Sequence, residues 1–143
     1  MGYRRLFIVR KDLGMSTGKI SAQLSHCAEL YWIHLIKKEL FYGTDHDFAD
    51  LMFDKKMVDG YINGSITKTV CSAKNLHQLL RAKEFAEAQG LVEGKDFGFI
   101  NDNCLTELIP ENPNGTTTTA FWTGPIPDDI AHAISKKYQL YKD

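Results

Sequence analysis

Apolar and polar residues switch between two periods along this chain, and the switches mark its elements. Leu6-Phe7-Ile8-Val9 forms an apolar run inside a stretch rich in β-formers, and it predicts a first strand from Tyr3 to Arg10. From Gly18 to about Leu40 the apolar positions take helical spacing, with Ser16 or Thr17 able to cap the start. Ile20, Leu24, Cys27 and Tyr31 form a stripe that would face a core. Lys19, Gln23 and His26 fall on a second, polar stripe roughly a third of a turn away. Residues 41–64 interrupt short apolar pieces with Gly43, Asp45, Asp47, Gly60 and Gly64, and read as an excursion with a helical turn around Phe48 to Phe53. Ile66 to Cys71 predicts a second strand. Ser72 then caps a helix through Gln89, with Leu76, Leu79, Leu80 and Ala86 inward and Gly90 as its stop. Phe97 to Ile100 reads as a short third strand. A turn-rich loop from Pro110 to Gly115 leads into a Thr-rich fourth strand, Thr116 to Trp122. Pro127, followed by Asp128 and Asp129, opens a last helix through Tyr138, with Ile130, Ala133 and Ile134 as its apolar positions.

Strands alternating with helices argue for an α/β layer around a largely parallel sheet, and the turn-rich link permits antiparallel pairing of the fourth strand. A chain of 143 residues fits one domain, here 1–143, with 41–64 as an insertion. No stretch approaches the roughly 20 apolar residues that span a bilayer. Tyr3 follows the start so closely that no signal-peptide core is expected. Cys27, Cys71 and Cys104 lack a CxxC pairing and read as reduced, structural thiols, which fits a cytoplasmic setting. With 17 basic against 18 acidic side chains, bulk charge does not announce a nucleic-acid protein. The cations are nevertheless clustered, as Arg4, Arg5, Arg10, Lys11 and Lys19 near the start and Lys136, Lys137 and Lys142 near the end. Clusters sharing a face would bind a polyanion.

Ligands of α/β sheets gather at the carboxyl ends of parallel strands. The first strand feeds the Lys19, Gln23, His26 helix, and the third feeds Asp102, with Thr106 four residues on. If those strands are parallel, the five groups converge on one rim. Asp102 in Asn101-Asp102-Asn103 also reads as a turn former. Asp45, His46, Asp47 and Asp50 lack the spacing of a metal loop, so no metal is expected. Cys104 has no nearby His to activate it. Phe121 and Trp122 could stack on a base, or simply end a buried strand.

The blocks Phe7 to Met15 and Gly18-Lys19-Ile20-Ser21-Ala22-Gln23-Leu24-Ser25-His26, then Ile100 to Pro110, then Thr119 to Gly124-Pro125, resemble the class II peptidyl-tRNA hydrolases. The resemblance implies a four-stranded mixed, mostly parallel sheet between helices, a three-layer α/β/α sandwich. It implies hydrolysis of the ester joining a peptide to the terminal ribose of tRNA, without a cofactor and commonly by a homodimer. Its active-site positions correspond to Lys19, His26, Asp102, Thr106 and Thr119. Gln23 and Arg10 would serve substrate binding. Four positions depart from the family pattern: Thr17 stands where a second lysine is usual, Asn103 and Cys104 follow Asp102 where alanine and glycine are usual, and Trp122 replaces a glycine. In chemical terms, His26 or Asp102 would act as general base on water and Lys19 would steady an oxyanion or phosphate. Rival readings are a non-catalytic nucleotide-, RNA- or protein-binding module on the same fold, and a protein that docks partners through 41–64.

Overall fold

The computed structural model describes residues 2–39, 41–42 and 49–143. Its elements in chain order are β1 (Tyr3–Arg10), α1 (Thr17–Glu39), β2 (Phe41–Tyr42), β3 (Ala49–Asp50), α2 (Lys55–Met57) with a following π-helical turn (Val58–Ile62), and β4 (Thr67–Ala73). Then come α3 (Leu76–Ala88), β5 (Phe97–Asp102), β6 (Thr117–Thr123), β7 (Ile126–Pro127), α4 (Asp128–Ser135) and β8 (Gln139–Leu140).

The main sheet runs β5-β6-β1-β4-β8, with β7 also paired to β1. β1 and β4 pair in parallel from Arg4 opposite Thr67 to Arg10 opposite Ala73. Every other pairing in this sheet is antiparallel. The expected four-stranded, mostly parallel sheet is therefore corrected to six strands with one parallel pairing. The two unforeseen strands, β7 and β8, are two residues each, too short to show a period in sequence.

Alternation along β1 builds two apolar clusters. Leu6 and Ile8 pack with Leu79, Ala82 and Ala86 of α3 and with Ala131 and Ile134 of α4. Phe7 and Val9 pack with Cys27, Ile20 and Leu24 of α1 and with Ile100, Ala120 and Trp122. Phe121 and Trp122 are both fully buried, which removes them as base-stacking surfaces. The indole of Trp122 lies over Gly98, its partner across the β5–β6 pair, where a Cβ would stand 2.7 Å from Trp122 Cζ2.

Three boundaries differ from expectation by three residues or more. Ser72 stays in β4, and Asn75 caps α3 by accepting from Gln78 N at 2.8 Å. Leu80 is exposed while Ala82 takes the inward position, because the helix is in phase with Leu79 and Ala86. α4 stops at Ser135, after which the buried Tyr138 donates its hydroxyl to Gln78 O at 2.8 Å. In the excursion, Ala49–Asp50 pair with Phe41–Tyr42, and helical structure starts only at Lys55. Asp45, His46, Asp47 and Phe48 lie outside the described residues, as does Leu40.

Candidate active site

β1 and β5 each run antiparallel to β6, so they run the same way and their carboxyl ends share one edge of the sheet. At that edge the loop after β1 delivers α1, whose Lys19 and Gln23 lie one turn apart, and β5 ends at Asp102. Lys19 Nζ donates to Asp102 Oδ1 at 2.9 Å and to Thr106 Oγ1 at 2.9 Å. Gln23 Nε2 donates to the same Oδ1 at 3.2 Å, and Gln23 Oε1 accepts from Thr119 Oγ1 at 2.6 Å. The Cys104 amide donates to Asp102 Oδ2 at 2.9 Å. Lys19, Gln23, Asp102, Thr106 and Thr119 thus form one hydrogen-bonded network.

Thr119 reaches this network through a bulge. Ile100 pairs with Ala120 but Asn101 pairs with Thr118, so Thr119 is an extra residue on β6. Ala120 already packs on the α1 side. Strict alternation would send Thr119 to the opposite face, and the bulge turns it back toward Gln23.

The electrostatics follow from these contacts. Partial burial of Asp102 works to raise its pKa, but it is outweighed by the Lys19 hydrogen bond, the Cys104 amide, the Gln23 amide and the Lys19 charge. The net effect holds the carboxyl below the usual carboxylate range. Asp102 and Lys19 side chains are each 10% exposed, so the ion pair is held close yet open to the cleft. An ammonium has three donors, and two of Lys19's are used, which leaves one for a ligand. The cleft itself is about 240 Å³, lined by Lys19, His26, Asp102, Asn103, Leu105 and the β5 end. His26 is exposed there and makes no hydrogen bond among the described residues.

Arg10 is not brought to the cleft. Its guanidinium, 3% exposed, is forked onto Asp12 at 3.0 and 2.8 Å and also donates to Glu111 and to Thr118 O. Arg5 is likewise internal, donating to Thr123 O and to the α1 carbonyls of Cys27 and Ala28. The N-terminal cluster of cations is thereby split, and two of its members serve the interior.

Two supports were not anticipated. Glu107 accepts from both Ser16 N at 2.9 Å and Ser16 Oγ at 2.7 Å, which pins the loop carrying Thr106 to the start of α1. Ser16 Oγ in turn accepts from Lys19 N at 3.2 Å. The Cys104 amide is the second. It faces Asp102 because Cys104 holds a φ of +59°, a left-handed conformation that a residue with a Cβ adopts at a cost of about 1–2 kcal/mol.

The peptidyl-tRNA hydrolase PTH2 family model matches residues 3–141. The chain belongs to this family. It is 28% identical to a peptidyl-tRNA hydrolase of Pyrobaculum aerophilum over 99% of this chain and 100% of the relative. It is 30% identical to one of Sulfolobus acidocaldarius over 93% and 95%, respectively, and 27% identical to one of Thermococcus sibiricus over 96% and 97%. Within this PTH2 chain the Asp-Asn-Cys departure falls on the +59° turn, and the bulk of Trp122 is taken up by Gly98. Thr17 is exposed at the first position of α1.

Proposed function

We infer that this chain hydrolyses the ester linking a peptide to the terminal ribose of tRNA. The observation that carries the reading is the Lys19–Asp102 pair, 2.9 Å apart at the cleft floor, in a chain matched by the PTH2 family over nearly its whole length. Water adds to the ester carbonyl carbon, and the bond from that carbon to the ribose oxygen breaks. Asp102 is an anion with both oxygens already accepting hydrogen bonds, so it suits orienting Lys19 better than taking a proton from water. His26 is the group with a free imidazole at the cleft and is assigned the base role, returning the proton to the leaving ribose oxygen. The third N–H of Lys19 stabilises the oxyanion, a contribution on the order of 10²–10³ in rate for such a donor. Thr106 positions water or ribose, and Thr119 holds the Gln23 amide in the orientation that serves Asp102.

The same proposal includes one domain over 1–143 with 41–64 inserted, a three-layer arrangement supported by the two clusters flanking β1, a homodimer, RNA binding and a cytoplasmic setting. No helix among the described residues is long and apolar enough to cross a membrane. Steady-state turnover of an N-acetylaminoacyl-tRNA tests the residue roles. His26→Ala and Asp102→Asn should each lower turnover at least tenfold in protein that stays folded at the assay temperature, and a wild-type rate in either variant removes that residue from the mechanism.

A further inference from the structure

The cleft continues into a feature that the network above does not use, the outer edge of β5. β5 is the terminal strand of its sheet and pairs only with β6 among the described strands. On the β6 side, Gly124 N donates to Asp96 O at 2.7 Å, and on the outer side Gly94 N donates to Phe97 O at 2.8 Å. Main-chain groups of successive strand residues alternate in direction, so Phe99 and Asn101 turn their N–H and C=O outward as Phe97 does. Among the described residues no main-chain group pairs with these outward groups. The chain already uses the edge one step upstream, where Glu93 bridges Phe97 in the parallel sense. Downstream, the edge runs directly into Asn101, Asp102 and Asn103, which line the cleft together with Lys19 and His26 of α1.

We propose that the outer edge of β5 binds the peptide half of the substrate as an added parallel strand. The proposal rests on the hydrolase reading. Its direction follows from chemistry: the reacting carbon is the carboxyl end of the peptide and must lie at the Asp102 end of β5. A peptide lying back along the strand therefore runs the same way as β5. One of its residues donates its N–H to Phe99 O and accepts at its C=O from Asn101 N. Pairing through the main chain does not read side chains, which suits an enzyme whose substrates share only a peptide backbone and an ester. The Gly94–Phe97 closure occupies the edge upstream, so only about three peptide residues fit, at about 3.3 Å each.

The test compares N-acetylaminoacyl-, N-acetyldipeptidyl- and N-acetyltripeptidyl-tRNA, together with a tripeptidyl form whose backbone amides are N-methylated. KM should fall at least fivefold from one residue to three and no further with longer peptides. N-methylation should return KM to the single-residue value at unchanged kcat. If all substrates turn over with a length-independent KM, or the N-methylated form matches its parent, the edge proposal is overturned and the hydrolase reading stands. If none turns over, the hydrolase reading itself fails. Exchange of the Phe99 and Asn101 amides, measured in the free protein, should be fast at every concentration. Slowing with concentration would assign the edge to a second copy of the chain and overturn the proposal.

Discussion

Lys19 is anchored at both ends: its backbone N–H donates to Ser16 Oγ, while its ammonium is divided between Asp102 and Thr106. That arrangement fixes the sign of the pH response. Asp102 sits below its ordinary value in the native state, so its contribution to stability is present above the ordinary carboxylate range. The contribution is lost as pH falls through the native value. The melting-temperature gap between wild type and Asp102→Asn should therefore stay flat from about pH 5 to 8 and narrow below about pH 4. A gap that closes already near pH 6 would contradict the assignment. The thiols make a second residue-level prediction. Burial pushes Cys27 up to about 12 and Cys71 up to about 11, so both are protonated and shielded. Native protein should react with one equivalent of a thiol reagent, at Cys104, and with three only after unfolding. Cys104→Gly should keep the hydrogen bond from the backbone N–H to Asp102 Oδ2 and raise stability by about 0.5–1 kcal/mol, since strain relief exceeds the added chain entropy.

At the scale of elements, the sequence carried the long pieces and missed what pairing decides. α1 was legible because its apolar spacing persists over many residues, the four long strands because each gathers β-formers between turn residues, and Lys19, Gln23 and Asp102 could be placed together from strand order alone. The bulge at Thr119 was not legible: period-2 reasoning assigns Thr119 to the same face as Phe121, and only the slip opposite Asn101 reverses it. Arg10 is held away from the cleft for a related reason. A cation at a strand end reads as a ligand group, but Asp12 and Glu111 claim it, and Glu111 is 101 positions away in sequence. Glu107 gave no signal because its partner, Ser16, belongs to a different element. The Gly98–Trp122 pair offers an element-level test. Gly98→Ala drives a Cβ into a rigid, fully buried ring and should cost about 1–3 kcal/mol in urea unfolding. A neutral result would mean that the β5–β6 pair is looser than described.

For the whole molecule, folding decides which cations are left at the surface. The formal net charge is −1, and Arg5, Arg10 and Lys19, three of the five N-terminal cations, are committed to carbonyls and carboxylates of the protein itself. Within that cluster only Arg4, which pairs with Asp128, and Lys11 are left to neutralise phosphates. The slope of log affinity for tRNA against log salt should then be no steeper than about −3. A slope near −6 would require a basic surface other than these cations. Composition alone could not have shown this, because it counts buried and exposed cations alike.

The most direct measurement is release of deacylated tRNA from an N-acetylaminoacyl-tRNA by the purified chain, run beside Lys19→Met. The account predicts multiple turnovers by the wild type and a loss of at least a hundredfold in kcat for the variant, with binding of the substrate retained. A folded wild type that binds the substrate without releasing tRNA, or a Lys19→Met variant as fast as the parent, would contradict it.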